Sequence, residues 1–389
     1  GITFNTGVKI KASSFDIQGK ATGSGSGSHG VHINGGSATG TTFTSTGSGN
    51  SVINGTSRAN ITGITAATNI NGTNVRFDAQ GTGAMVVKGS NALTALGLRI
   101  SAGGDNTTVF TKGDVTLGAL EADSSFSMRT GTITAETGHV KIRGQSATAG
   151  TSVGGNSTLK TLADGANIDI VGLAATTASN QVGKGVDIVR LPEAPKFETK
   201  GNITIEGTVT GTGTGSGVLF SSNGWGSQAV SMIADGNITI RGNNRASAAN
   251  TANALYINTG LQAVAKGNIT LQAETNNAAS TALLLLSQRG TNVDAGLINE
   301  PLTGNTSLQS INAGGIAGNI LVQANQGSLV LNNSAIAVGS TSTKVSIPAG
   351  STETKLVGQN ITIDNTGAGM AIGAGNAVAG TGGTQGAAL

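Results

Sequence analysis

The side chains able to carry chemistry are few and dispersed. Nineteen Asp and Glu, 22 Lys and Arg and three His are spread over 389 residues. Polysaccharide cleavage on an extended scaffold needs two carboxylates gathered on one face, often with Arg, Lys or calcium in support. The one close pair is Glu121 and Asp123, which an extended chain would place on the same side; solvated surface acids are the expectation. Asp169 and Asp187 occupy the outward position held by Lys141 in copies of the same strand motif. They are therefore expected to stack, with Lys141 or a cation relieving their repulsion. Calcium takes six to eight oxygens and no Asp-rich loop supplies them. His29 and His32, three apart, should face opposite sides of a strand, and His139 is distant. The Gly/Ser alternation from Gly23 to Gly27 lacks the Gly-Lys-Ser/Thr ending of a phosphate loop and reads as a turn. No catalytic residue, cofactor or metal is expected.

Other classes fall on composition. The absence of Cys removes disulfides, zinc–thiolate sites and thiol catalysis. A formal charge of +3 with a pI near 9.2 comes without any Lys/Arg cluster interleaved with aromatics, so no nucleic-acid partner is expected. The longest apolar run, Ala282 to Leu286, is far short of the roughly 20 residues that span a bilayer as a helix. Asn-x-Ser/Thr acceptor patterns, among them Asn54, Asn60, Asn71, Asn106, Asn156, Asn202, Asn237, Asn268, Asn305 and Asn360, are barely more frequent than an Asn/Ser/Thr-rich composition produces.

The scaffold that positions these groups is unusual. Sixty-three Gly, 3% aromatic and 11% charged residues disfavour an ordinary globule, which carries about 25% charge. Apolar residues still make up 37%, enough to drive folding where disordered chains cannot. Glycine has no three-residue period, which excludes collagen.

Internal repeats supply the architecture. Gly201-Asn202-Ile203-Thr204-Ile205 recurs as Gly236-Asn237-Ile238-Thr239-Ile240 and Gly267-Asn268-Ile269-Thr270-Leu271. Looser copies start at Gly113, Gly138, Asn167, Gly185, Gly318 and Gln359. Each is a turn pair followed by apolar, polar, apolar, the period of a strand with one buried face. A longer recurrence runs from Ile17-Gln18-Gly19 through a loop to Gly30-Val31-His32-Ile33, echoed by Ile205-Glu206-Gly207 and Gly217-Val218-Leu219-Phe220. The expected fold is all-β, a parallel β-helix of two visible strands per unit, with Ile203, Ile238 and Ile269 stacked inside. Thr204, Thr239 and Thr270 should form an outward hydroxyl ladder, and Asn202, Asn237 and Asn268 a turn ladder. Lys200, Asp235 and Lys266 precede the three glycines, and this alternation suits neighbouring coils.

At about 20 residues per coil the chain makes roughly 15 to 20 coils and a rod on the order of 90 Å. Neither Gly1-Ile2-Thr3-Phe4 nor the Gly/Ala-rich stretch after Gly367 looks like a capping helix, and the N-terminus lacks a signal-peptide pattern; an internal segment with uncapped ends is the expectation. The repeat runs continuously over 1–389. Its one interruption, 190–200, holds two of the four Pro; it is read as a surface loop or as a kink dividing stacks 1–189 and 201–389. Pro192, Pro195, Lys196 and Phe197 there, and Trp225 between glycines, are the candidate contact residues.

The Gly-Asn-Ile-Thr-Ile units, Gly/Thr/Ser loops and Gly-Val-x-Phe strands resemble the repetitive stems of two-partner-secreted bacterial exoproteins, the filamentous-haemagglutinin-like and high-molecular-weight adhesins. That resemblance implies a right-handed parallel β-helix, export through an outer-membrane pore partner, and an extracellular or cell-surface location. It implies a non-enzymatic fibre segment that contacts a host or bacterial surface, a glycan or copies of itself. The Asn-Pro-containing secretion motif of the group does not occur here. Two alternatives stand beside this reading: a carbohydrate-active β-helix enzyme, such as a spike depolymerase or lyase, and a self-assembling filament or sheath subunit.

Overall fold

The computed structural model describes residues 1–276 apart from 24–27, 59–65, 94–95, 101–106, 191–192, 223–228, 248–252, 258 and 260; beyond 276 it describes the strands alone. Among the described residues there is no helix. The strands form three sheets of 12, 14 and 11 strands, parallel except for Gly315–Ile316, which pairs antiparallel to Thr306–Asn312; up to Thr306–Asn312 each strand follows the third strand before it in the chain. One coil therefore contributes one strand to each sheet, a parallel β-helix. The opening coil shows the plan: Ile2–Phe4 lies in the first sheet, Lys9–Ala12 in the second and Asp16–Ala21 in the third.

Three strands per coil correct the two-strand unit inferred from sequence. Up to the strand Ile320–Asn325, parallel ladder partners lie 24 to 51 residues apart, not about 20, so among the described residues fewer coils form than the expected 15 to 20. The 11 strands of the third sheet at about 4.8 Å each span about 50 Å. The missed strands are those of the second sheet. Order is strict until Thr306–Asn312, after which Thr354–Gly358 pairs next and Ser334–Val338 lies beyond it.

The interior is a set of aliphatic columns. In the third sheet Val140, Ile168, Ile203, Ile238 and Ile269 follow one another in register. In the second, Val75, Val109, Ile133, Leu159, Phe197 and Met232 do so, all with zero exposure. Aromatics concentrate in the early coils, where Phe43 stacks on Phe77 with centroids 5.6 Å apart. Stacking identical or similar side chains fills a narrow core without voids, because each coil offers its neighbour the same shape.

Glycine closes one corner of the cross-section. A Cβ on Gly207 would stand 1.9 Å from the carbonyl oxygen of Gly217, and one on Gly172 equally close to that of Gly185. The third and first sheets therefore meet backbone to backbone there. This explains the Ile-x-Gly and Gly-Val pieces of the longer recurrence: they are the two sides of one contact.

The interruption at 190–200 does not divide the stack. Ladders run across it in all three sheets, from Val182–Arg190 to Thr214–Ser222, from Ser157–Thr161 through Lys196–Thr199 to Val230–Ala234, and from Ile168–Thr176 to Ile203–Gly211. Phe197 is a core residue, paired with Leu159 and Met232, so it is no contact residue. Pro195 is buried and Lys196 exposed, while Pro192 lies outside the described residues.

Three substitutions check this packing by denaturant unfolding. Phe197→Ala should cost about 3–5 kcal/mol, as for a large core truncation, whereas Lys196→Ala should change little. Gly207→Ala should destabilise by more than the gain of about 1 kcal/mol that alanine brings elsewhere, because its methyl group meets backbone that cannot give.

Candidate functional site

Two regions gather polar groups beyond what a strand face needs. The first is the corner where the chain enters the third sheet. The backbone N–H of Asn202 donates to Oδ1 of Asn167, that of Asn237 to Oδ1 of Asn202, and that of Asn268 to Oδ1 of Asn237, each at 2.7 Å. Each Asn carbonyl in turn accepts the N–H that follows the preceding Asn: Ile168 to Asn202, Ile203 to Asn237 and Ile238 to Asn268, all 2.9 Å. Asparagine is needed because its amide oxygen reaches one coil and no further, and it tolerates turn backbone. His139 occupies the head of this ladder, its Nδ1 accepting from Asn167 N–H at 3.0 Å. That role was not legible in Gly138-His139-Val140, where the imidazole replaces an asparagine.

Thr204, Thr239 and Thr270 stand in register one residue beyond the aliphatic column. Two residues further along lies a mixed polar ladder: Glu206 to Arg241 at 2.9 Å, Arg241 to Gln272, Gln272 to Gln323 and Gln323 to Asp364 at 2.9 Å. Outside the turn, Asp235 bridges Lys200 at 3.6 Å and Lys266 at 2.9 Å. The hydrogen bond from Lys266, with Lys200 assisting, holds its carboxyl below the usual aspartate range.

The acids with catalytic spacing are not assembled. Glu121 and Asp123 lie in a turn, Asp123 with φ of 60°, and Glu121 pairs with Lys88. Asp169 is in register with Lys141 and bonds Arg143. Asp187 belongs to the first sheet, in register with Ser152 and Leu219, so the expected Asp169–Asp187 stack does not form. Gly-Val-Asp-Ile at 185 mimics the Asn-Ile-Asp-Ile motif, but its glycine is a corner glycine. Asp187 is nearly buried and takes Lys184 at 2.6 Å and the Ser221 hydroxyl at 2.8 Å. No group of three or more His, Asp or Glu placed to hold a metal occurs among the described residues.

The second region is a pocket where the chain passes from the third sheet to the first, lined by Thr3, Lys20, Thr22, Ser28, His29 and His32 among others. His29 and His32 do not face apart: their ring centroids are 5.0 Å apart. Alternation fails because His29 precedes the strand Val31–Asn34 and Gly30 intervenes. His29 Nδ1 lies 2.7 Å from the carbonyl of Ala66, and burial lowers the pKa of both rings, with Arg99 adding to the effect on His29 and His29 to that on His32. Next to His32 in the same outward column stand Asn69 and Arg99, both nearly buried.

Trp225 and the Gly/Ser run 24–27 lie outside the described residues, as do the acceptor asparagines Asn60, Asn106, Asn305 and Asn360. No family model, curated protein or solved structure matches the chain.

The ladder makes a clear prediction. Asn237→Ala strips the Asn268 N–H of its acceptor at an exposed corner and should cost about 0.5–1.5 kcal/mol, the net worth of one hydrogen bond whose freed donor water can reach; Asn237→Asp keeps the acceptor and should cost less. Asp235→Asn should remove a stabilisation present at neutral pH, because a depressed folded pKa stabilises above the unfolded value and is lost as pH falls through the folded one. The difference between wild type and Asp235→Asn, followed by urea unfolding, should shrink below the ordinary aspartate range of about pH 4.

Proposed function

We propose that this chain is a non-enzymatic, stiff segment of an extracellular fibre that carries adhesive contacts on its turns and loops. The observation that bears the reading is the use of its charges: eight acids form cross-coil or local ion pairs with Lys or Arg, from Arg76–Glu136 at 2.6 Å to Lys266–Asp235. Carboxylates held this way tie neighbouring strands together, and their oxygens are engaged by a cation at contact rather than turned as a pair toward a common substrate position. The continuous in-register sheets support the mechanical part of the role. A parallel β-helix resists bending because every coil is hydrogen-bonded to two others over three faces.

Export through an outer-membrane pore partner and attachment to a host or bacterial surface, to a glycan or to like molecules belong to the same proposal. They rest on the likeness of the Gly-Asn-Ile-Thr-Ile units to secreted adhesin stems. No helix among the described residues is long and apolar enough to cross a membrane.

Electron microscopy of the native material, paired with a reducing-end assay on capsular and plant polysaccharides, tests the reading. Thin rods of constant width that bind cells or glycans and release no reducing ends are expected. Trimers with a groove that cleave polysaccharide would overturn it in favour of a carbohydrate-active enzyme.

A further inference from the structure

We infer that the pocket between the strands Asp16–Ala21 and Val31–Asn34 binds a carboxylate-bearing monosaccharide, free or at the end of a glycan. The cavity measures about 330 Å³, within the range that holds one small ligand. Its wall is polar: the hydroxyls of Thr3, Thr22 and Ser28, the imidazoles of His29 and His32, and Lys20, with no carboxylate among the lining residues. Such a wall offers nothing to an apolar ligand and much to a hydroxylated one.

Charge selects among polar ligands. Lys20 stands in the wall, and Arg99 is near enough to lower the pKa of His29. A carboxylate is drawn into that field, whereas a divalent cation is opposed by it. The paired imidazoles do not make a metal site: His29 Nδ1 is taken by the Ala66 carbonyl, His32 Nε2 is buried, and no group of three or more possible ligands occurs among the described residues. With Nδ1–H of His29 donated to Ala66, its Nε2 is left to accept a hydrogen bond. Lys20 then takes the carboxylate, and His29 and the three hydroxyls take the ring hydroxyls of the sugar.

The site extends the adhesive reading and rests on it for the biological source of the ligand, though not for binding itself. Glucuronic acid, N-acetylneuraminic acid and glucose are titrated into the full chain with isotope-labelled histidine, following the three imidazole signals. Either acid should shift the His29 and His32 signals saturably while His139 stays still, glucose should not, and Lys20→Ala should weaken binding at least tenfold. Lys20 is exposed, so that variant should unfold at the wild-type denaturant midpoint. Silence of both signals with both acids, an equal response to glucose, or binding unchanged in Lys20→Ala would overturn the assignment. If neither acid moves the signals while the chain adheres to glycan-coated surfaces, the site is wrong and the adhesive reading stands; if the signals shift and Lys20→Ala weakens binding while the wild-type chain does not adhere, the site stands and the adhesive reading fails.

Discussion

Everything in this molecule depends on neighbouring coils sharing one register. Parallel strands slipped by one residue would turn every core side chain outward, and a solenoid has no single nucleus to correct the error. The chain fixes the register at the corner that enters the third sheet. There the amide oxygen of one asparagine takes the backbone N–H of the next, and the next carbonyl takes the N–H that follows. Two hydrogen bonds of defined length at each step leave one height at which the next coil can sit. The glycine contact between Gly207 and Gly217 adds a steric stop midway along the same strand.

Given that register, the remaining features follow from stacking. Columns of Ile and Val fill the core because adjacent coils present matching shapes, and the outward face accumulates ladders of like or complementary polar groups. Lys200, Asp235 and Lys266 alternate in sign for this reason, and Glu206, Arg241 and Gln272 form a chain of contacts. Loops are free to vary in length because they leave and rejoin the stack at fixed corners. Long connections between ladder partners, up to 51 residues, leave the register intact. The polar pocket arises at such a departure point, where the chain leaves Asp16–Ala21 and re-enters at Val31, and a loop can bring side chains together that no ladder would.

How much of this was legible can be traced to particular residues. Gly-Asn-Ile-Thr-Ile announced the third sheet because its turn, core and surface positions each need a specific residue type, and the Asn requirement is chemical. Strands of the second sheet carried no motif: Val109, Leu159 and Phe197 share only apolarity, which many residues satisfy. With that strand hidden, the coil was judged too short. Phe197 reads as a loop residue because Pro195 and charged neighbours surround it, yet its position is in the core column. Asp187 reads as a partner of Asp169 because both sit in a turn residue-apolar-Asp-Ile pattern, Asn167 opening one copy and Gly185 the other, and the two copies serve different sheets. The contact between His29 and His32 could not be read by strand alternation, since a glycine and the strand boundary fall between them.

The claim that coil-to-coil register is fixed as described is tested most directly by engineered cross-linking. The chain has no cysteine, so any disulfide reports only the pair introduced. Thr204 and Thr239 are register partners on the outer face, about 4.8 Å apart for neighbouring parallel strands and within the span a disulfide bridges. Thr204→Cys combined with Thr239→Cys should oxidise readily, whereas Thr204→Cys with Arg241→Cys, on the same face but displaced along the strand, should remain largely reduced. Preferential cross-linking of the second pair would contradict the register, and with it the ladder on which this account of the molecule stands.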